Sequence, residues 1–466
     1  MSPIDTSHKH SYNARSIIRF ILPSLLGIFL FMVPIRLNGS VTIPIAILSN
    51  SLQKVLADQM LYILLITMTL SAIGGLLTKL FKPSFILNHK FLSSLFNPSW
   101  IWLLLRILAF TFIWVIVLLE NNMPHSNTLA FVVQMITSED TGRLVLSDLL
   151  PVLFSIFLFA GFFLPLLLDF GLLEFIGCLL VKVMRPIFGL PGRAAVDCIA
   201  SWLGDGTIGV LLTSKQYEEG FYTEREAAVI GTTFSLVSIT FSLVVINTVG
   251  LGDLFIPFYL TITFASLVAA IIMPKLPPLS RKKSILYDGS IPSSHDDLSE
   301  TGNTLKTGFN LATEKASSQS FIKSVIVAGS KNVLDMWLGV IPVVMAIGTL
   351  ALILATYTPL FKILGLPFTP ILSLLGIPEA VAASQTLIAG FADMLLPSVL
   401  ATGIESDMTR FVVASVSVTQ LIYLSEVGAL ILGSKIPVKL WELFVIFIER
   451  TLITLPIISL IAHLIF

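Results

Sequence analysis

Three carboxylates stand where an apolar chain accommodates them least: Asp205, Asp393 and Glu426. Asp205 sits between Gly204 and Gly206, and Asp393 follows Gly390, each in a turn between two short apolar arms. Glu426 lies inside the apolar stretch 409–432, seven residues after Thr419 and eleven after Ser415. On a continuous helix these three share one face. Such carboxylates can hold a cation, exchange a proton or accept hydrogen bonds from a polar solute. A charge at a bilayer centre costs about 2.5–3.5 kcal/mol on insertion scales, so it lines a cavity or has a partner. Each acid also has a plainer reading. Asp is a preferred N-cap, so Asp205 and Asp393 could simply begin a returning arm. Glu426 could pair with Lys435.

Around these acids lie polar residues with the same double reading. Gln420 and Ser425 neighbour Glu426, and Gln385 lies on the arm before Gly390. Ser238 belongs to a stripe with Gly231, Ser235 and Ser242, which can wall a solute cavity or pack helices closely. Asp197 and Ser201 are one helical turn apart, able to meet a solute or to tie arms together. Arg225 and Arg410 are expected to anchor helix ends by snorkelling. Arg106, Asp169 and Arg450 are ambiguous. Gly204, Gly206 and Gly390 let the backbone turn tightly and approach a ligand.

The elements that carry these residues occur twice. The stretch GLPGRAAVDCIASWLGDG (189–206) is restated by GIPEAVAASQTLIAGFADM (376–394), and each is followed by an arginine and a long apolar segment with polar residues in its middle. Such an internal repeat marks a repeated supersecondary unit. The arm 196–204 is about nine residues, or about 14 Å of helix, roughly half of a ~30 Å hydrocarbon core. The return arm 207–215 is similar, which predicts a re-entrant hairpin. In the second unit 380–389 and 395–401 are the arms. Continuous spans are expected at 17–35, 60–80, 100–119, 151–169, 226–249, 254–273, 336–355, 409–432 and 440–461. The segments 172–188 and 358–375 are shorter and lie at the surface. With re-entrant hairpins each unit crosses three times, so the second is inverted relative to the first. Lys79, Lys82, Lys90, Lys182, Arg185, Arg193, Arg281 to Lys283, Lys435 and Lys439 then fall on the cytoplasmic side, as do the N-terminus and the polar stretch 275–330, which is expected to be a flexible linker.

The expected fold class is therefore an all-α polytopic membrane protein with two inverted-topology repeats, each with a re-entrant hairpin and a polar-centred helix. Its parts are N-terminal helices (1–150), repeat one (151–274), linker (275–330) and repeat two (331–466). The chain is 55% hydrophobic and 12% charged, against about a quarter charged in soluble domains. A net charge of zero argues against nucleic acid as a partner. Cys178 and Cys198 form neither a metal cluster nor a redox pair. No phosphate-binding loop, nucleophile elbow or zinc-protease motif occurs, so no cofactor, metal or enzyme activity is expected.

At the two repeated stretches, together with EREAAVIGTTFSLVSITFS and TRFVVASVSVTQLIYLSEVG, the sequence resembles the nucleoside-recognition (Gate) domain family, and most of all the YjiH-type bacterial membrane proteins. The likeness covers roughly 151–466 without the linker. It implies two hairpins, two partly unwound helices and a ligand site at the midplane. The turns around Asp205 and Asp393 and the polar centres containing Ser238 and Glu426 match that site. The expected function is secondary transport of a small polar solute across the bacterial cytoplasmic membrane, coupled to H+ or Na+. Gly204, Asp205, Gly206, Ser238, Gln385, Gly390, Asp393 and Gln420 would contact the solute, and Ser425 and Glu426 the coupling cation. A homo-oligomer is compatible with this. The alternative is a membrane scaffold that keeps the architecture without transport.

Overall fold

The computed structural model describes residues 14–33, 35–37, 40–119, 127–203, 206–234, 237, 239–291 and 304–466. Helix α1 (Ala14–Met32) is followed by two short antiparallel strands, β1 (Ile35–Leu37) and β2 (Ser40–Thr42). Helix α2 (Pro44–Val55) starts on a proline, whose missing N–H is no loss in a first turn. Then come α3 (Ala57–Phe81), α4 (Ser84–Leu87), α5 (Lys90–Phe96), α6 (Trp100–Leu119) and α7 (Asn127–Thr137). In α6 the buried residues Leu103, Arg106, Ala109, Phe112, Ile113 and Ile116 recur every three or four positions, while Trp100, Ile101 and Leu104 face outwards. That is one inward stripe on an otherwise apolar rod, which suits a lipid-facing helix.

The first repeated unit opens with α8 (Gly142–Leu144), which runs through a π-helical turn into α9 (Leu150–Leu168). Helix α10 (Leu172–Phe188) is amphipathic, and the hairpin α11 (Ala194–Leu203) and α12 (Gly206–Glu218) follows. Helix α13 (Glu224–Thr233) is started by a capping box between Thr223 and Glu226, and α14 (Ile239–Thr248) and α15 (Phe255–Ile272) close the unit. After α16 (Thr304–Ser318), the second unit opens with one rod, 322–357, containing α17 (Gly329–Asp335) and α18 (Ile341–Tyr357). Surface helices α19 (Leu360–Gly365) and α20 (Thr369–Leu374) lead to the second hairpin, α21 (Ala380–Leu387) and α22 (Leu396–Leu400). Then come α23 (Asp407–Thr419), α24 (Val427–Gly433) and the long α25 (Leu440–Ile465). Each unit thus reads span, surface helix, hairpin, broken helix, span. The hairpins pack crosswise: α12 lies against α24 of the other unit, and α14 against α22.

Seven described helices are long and apolar enough to cross a membrane, and the chain is an all-α polytopic membrane protein. The two further spans expected as continuous, 226–249 and 409–432, are interrupted. Helix α13 stops at Thr233 and α14 starts at Ile239; α23 stops at Thr419 and α24 starts at Val427. Residues 127–137, between the expected spans 100–119 and 151–169, form α7.

The stretch 275–330, expected to be a flexible linker, contains the packed helix α16, which lies against α10 and α1. Gly308, Ala312 and Ala316 recur every four residues on its inner face, and small residues let helices approach closely. A Cβ on Gly308 would stand 3.1 Å from Cβ of Cys178, and one on Gly171 would be 2.3 Å from the carbonyl oxygen of Ala312. Residues 282–285 are fastened too: Lys282 bonds Glu442 at 2.7 Å, and the amides of Glu224 and Arg225 donate to the carbonyls of Ile285 and Lys283. Residues 292–303 lie outside the described residues.

Candidate functional site

The tip of the second hairpin meets the break in the second polar-centred helix. After α21 the chain passes through a tight turn, Ile388–Phe391, and reaches Asp393. Opposite, residues 420–426 leave the helix, and Leu421 takes the left-handed conformation at φ 62°. The two strands of backbone then satisfy each other. The amide of Leu424 donates to the carbonyl of Phe391 at 2.8 Å, and that of Ser425 to Ala392 at 2.9 Å. Interrupted helices leave amides and carbonyls that need partners, and the hairpin tip supplies them.

Side chains reinforce the junction. Ser425 Oγ donates to Asp393 Oδ2 at 2.8 Å, while Asp393 Oδ1 accepts from the amide of Leu395 at 2.9 Å. One side chain thus spans the junction: one oxygen of Asp393 holds the turn that leads into α22, and the other reaches the broken helix. Gln420 is fully buried, and its Nε2 donates to the carbonyl of Leu387 and to Thr451 Oγ1, each at 3.0 Å. Its Oε1 has no partner among the described residues. A Cβ on Gly390 would lie 2.1 Å from that Oε1, so only glycine lets the Gln420 side chain cross the tip.

Arg450 binds the two units at their centre. It is fully buried on α25, one turn before Thr454 and beside Thr451. Its Nε donates to the carbonyl of Thr419 at 2.9 Å and its Nη1 to the carbonyl of Thr233 at 3.0 Å. These are the last residues of α23 and α13, the first halves of both broken helices. Helix C-termini carry partial negative charge, so a guanidinium between two of them is electrostatically compensated without a carboxylate. Its Nη2 is buried without a partner among the described residues. The centre thus offers one spare guanidinium donor and one spare amide acceptor, Gln420 Oε1. A small solute with both donor and acceptor edges, such as a nucleobase or an amide, complements that pair chemically.

The first hairpin is fastened differently. Asp197, fully buried on α11, accepts from Thr213 Oγ1 at 3.1 Å, Gln216 Nε2 at 2.6 Å and Tyr222 OH at 3.0 Å. Two of these donors are on α12, so Asp197 locks the hairpin arms together. Gly209 allows the arms to touch: a Cβ there would be 2.6 Å from Cβ of Ser201. Asp197→Ala would strand three buried donors, and at about 1–3 kcal/mol each it is expected to lower stability by about 3 kcal/mol or more. Thermal unfolding of the detergent-purified variant checks this; a melting temperature equal to wild type would mean that the lock is dispensable.

Of the residues singled out in the sequence, Gly390, Asp393, Gln420 and Ser425 meet at the second hairpin tip. Gln385 is half-buried on the arm, beside the surface helix at Gly365. Gly206 is the first residue of α12. Gly204, Asp205, Ser235 and Ser238 lie outside the described residues. Ser415, Thr419 and Glu426 do not share a helical face, because the helix ends between them. Glu426 stands half-buried at the start of α24, and it is Ser425, one residue earlier, that bonds Asp393. Arg225 and Arg410 differ despite their shared place: Arg225 donates to the carbonyl of Pro274, and Arg410 pairs with Asp407. Arg450 and Thr451 are the central residues given no role from sequence. Their signal was an Arg-Thr-x-x-Thr face on an otherwise apolar helix.

A family profile described as nucleoside recognition (Gate) matches residues 150–252, which span α9 to α14. An uncharacterized protein of Alkalihalophilus pseudofirmus is 49% identical over 449 residues, covering 96% of this chain and 95% of that protein.

Proposed function

Since the chain belongs to the same family as that Alkalihalophilus protein, a family of multi-pass membrane proteins bearing the nucleoside-recognition (Gate) domain, we propose that it is a secondary transporter of a small polar, nucleoside-like solute. The Gate domain in a multi-helix membrane protein points to a transport-related role. The observation that carries the finer proposal is the centre itself. Two helices break inside the protein, and beside the breaks a buried guanidinium and a buried amide each keep one hydrogen-bonding atom without a partner among the described residues. Buried polar atoms are normally satisfied, so these two atoms await a partner that comes and goes. Discontinuous helices at the interface of two repeats are where secondary transporters hold solute and coupling ion. In this proposal the units are inverted, Asp393, Gln420 and the turn at Gly390 face the solute, and Ser425 with Glu426 serves H+ or Na+. The acids become groups that change charge or partner during a cycle rather than fixed struts.

Uptake by proteoliposomes under an imposed pH or sodium gradient tests this directly. Radiolabelled uridine, adenosine and a panel of amino acids and dipeptides are the solutes. A transported solute at about one hundred times its dissociation constant should also add about 2.7 kcal/mol to stability. Asp393→Asn is expected to reduce uptake at least tenfold with a melting temperature near wild type, because it keeps the acceptor for Leu395 but loses the charge facing Ser425. Wild-type uptake in that variant would remove Asp393 from the mechanism. Neither uptake nor stabilisation across the panel, in well-folded protein, would favour the scaffold.

A further inference from the structure

A polar cavity of about 330 Å³ lies away from the centre. It is walled by the α5–α6 corner, by the rod α17–α18, by the end of α12 and by the chain just after α24. The seven-residue helix α24, about 10 Å of rise, separates it from the Asp393 junction. Its lining gathers three cations, Arg106, Lys215 and Lys435, against two carboxylates, Glu218 and Asp335. Lys215 and Glu218 pair at 3.8 Å. Arg106 is only 5% exposed, and its Nη1 donates to the carbonyl of Leu95 at 2.7 Å. Its Nε is buried with no partner, and among the described residues no carboxylate comes within 4.0 Å of it.

The side chains of Arg106 and Asp335 reach the same spot. A Cβ on Gly339 would be 3.8 Å from Asp335 Oδ1 and 3.9 Å from Arg106 Nη2, with nothing nearer. The wall therefore leaves room there, at a buried guanidinium with an unused donor, in a lining with one excess positive charge. Asp335 compensates the buried guanidinium only from beyond ion-pair distance, and a planar two-oxygen acceptor matches the fork that remains open. The volume is at the lower end of small-ligand pockets, and Trp102 supplies an aromatic wall.

We propose that this cavity is a second ligand site, taking a small organic monocarboxylate whose carboxylate bonds Arg106. The N-terminal helices, which hold no motif of their own, would then supply the recognising residue of a site completed by both repeats. The cavity adjoins the end of the first hairpin and the end of the second broken helix, where the amide of Lys435 donates to Ser214 Oγ at 3.2 Å. Occupancy would bear on how these two ends sit together.

Calorimetric titration of purified protein with benzoate, nicotinate and lactate, each beside its neutral amide, tests the site. Binding of at least one carboxylate and of none of the amides is expected. Arg106→Gln should weaken it more than tenfold. Because that variant also loses the bond to Leu95, Gly339→Leu is the second arm: it fills the cavity, removes no charge and replaces a helical glycine, so it should fold as well as wild type while abolishing binding. Asp393→Asn should bind carboxylate as wild type does, whatever its effect on uptake. The proposal is overturned if no carboxylate binds at millimolar concentration, if Gly339→Leu binds normally, or if Asp393→Asn abolishes binding. A phospholipid held in the cavity, seen by native mass spectrometry and lost in Gly339→Leu, would also overturn it by assigning the guanidinium to a headgroup.

Discussion

Arg450→Leu is expected to destabilise the protein by about 3–5 kcal/mol and to abolish uptake. The carbonyls of Thr233 and Thr419 would lose their guanidinium partner in a region without solvent, at about 1–3 kcal/mol each. The leucine also leaves part of the guanidinium's space empty, and residual cavities add to the cost. Arg450→Lys should be intermediate, because an ammonium is a point donor and cannot serve both carbonyls in the fork geometry. Thermal unfolding in detergent gives the stability, and proteoliposome uptake the activity. The two readouts separate two roles. If Arg450 only ties the halves together, Arg450→Lys loses stability and activity in proportion. If its free Nη2 also meets solute, Arg450→Lys loses affinity out of proportion to stability. A leucine variant that melts with wild type would refute both.

Gly390→Ala should lower solute affinity at least tenfold through a single methyl group. That methyl would lie 2.1 Å from Gln420 Oε1, well inside van der Waals contact. The backbone there is fastened to its surroundings, so the glutamine must move and release Leu387 and Thr451. Gln420→Ala loses the same contacts by another route. The double variant Gly390→Ala, Gln420→Ala should therefore be less impaired than the sum of the two, with a coupling of about 1–2 kcal/mol from a full mutant cycle. Strict additivity would show that the methyl acts on something other than Gln420. Solute-dependent thermal stabilisation of the four proteins supplies the numbers.

How far such features could be read from sequence depends on how local their causes are. The hairpins announce themselves through Gly-Leu-Pro and Gly-Ile-Pro, through arms of half-membrane length and through glycines at the tips. All of these are short-range signals. The long apolar rods need only length and composition. The break at 420–426 is different: QLIYLSE contains neither glycine nor proline, and its residues are compatible with helix. The chain leaves the helix there because Phe391 and Ala392, some thirty residues earlier, offer carbonyls to Leu424 and Ser425. Periodicity sees one helix and places Ser415, Thr419 and Glu426 on one face. The family resemblance supplied the unwinding that periodicity could not. Helix α16 was hidden for the opposite reason. Its composition is polar enough for a linker, and the Gly308, Ala312 and Ala316 ridge that docks it is made of residues carrying little hydrophobic signal. Arg450 needed the third dimension, since its partners are backbone atoms at 31 and 217 positions' remove.

Because Arg450 grips carbonyls and not side chains, the threonines at 233 and 419 are free to drift as far as this contact is concerned. What descent must preserve is the count of residues from each hairpin to the end of its half-helix. One residue added to α13 or α23 would rotate the terminal carbonyl by about 100° and carry it about 1.5 Å along the axis, out of the guanidinium's reach. Lineages of this chain should therefore tolerate many replacements in those two half-helices and almost no insertions.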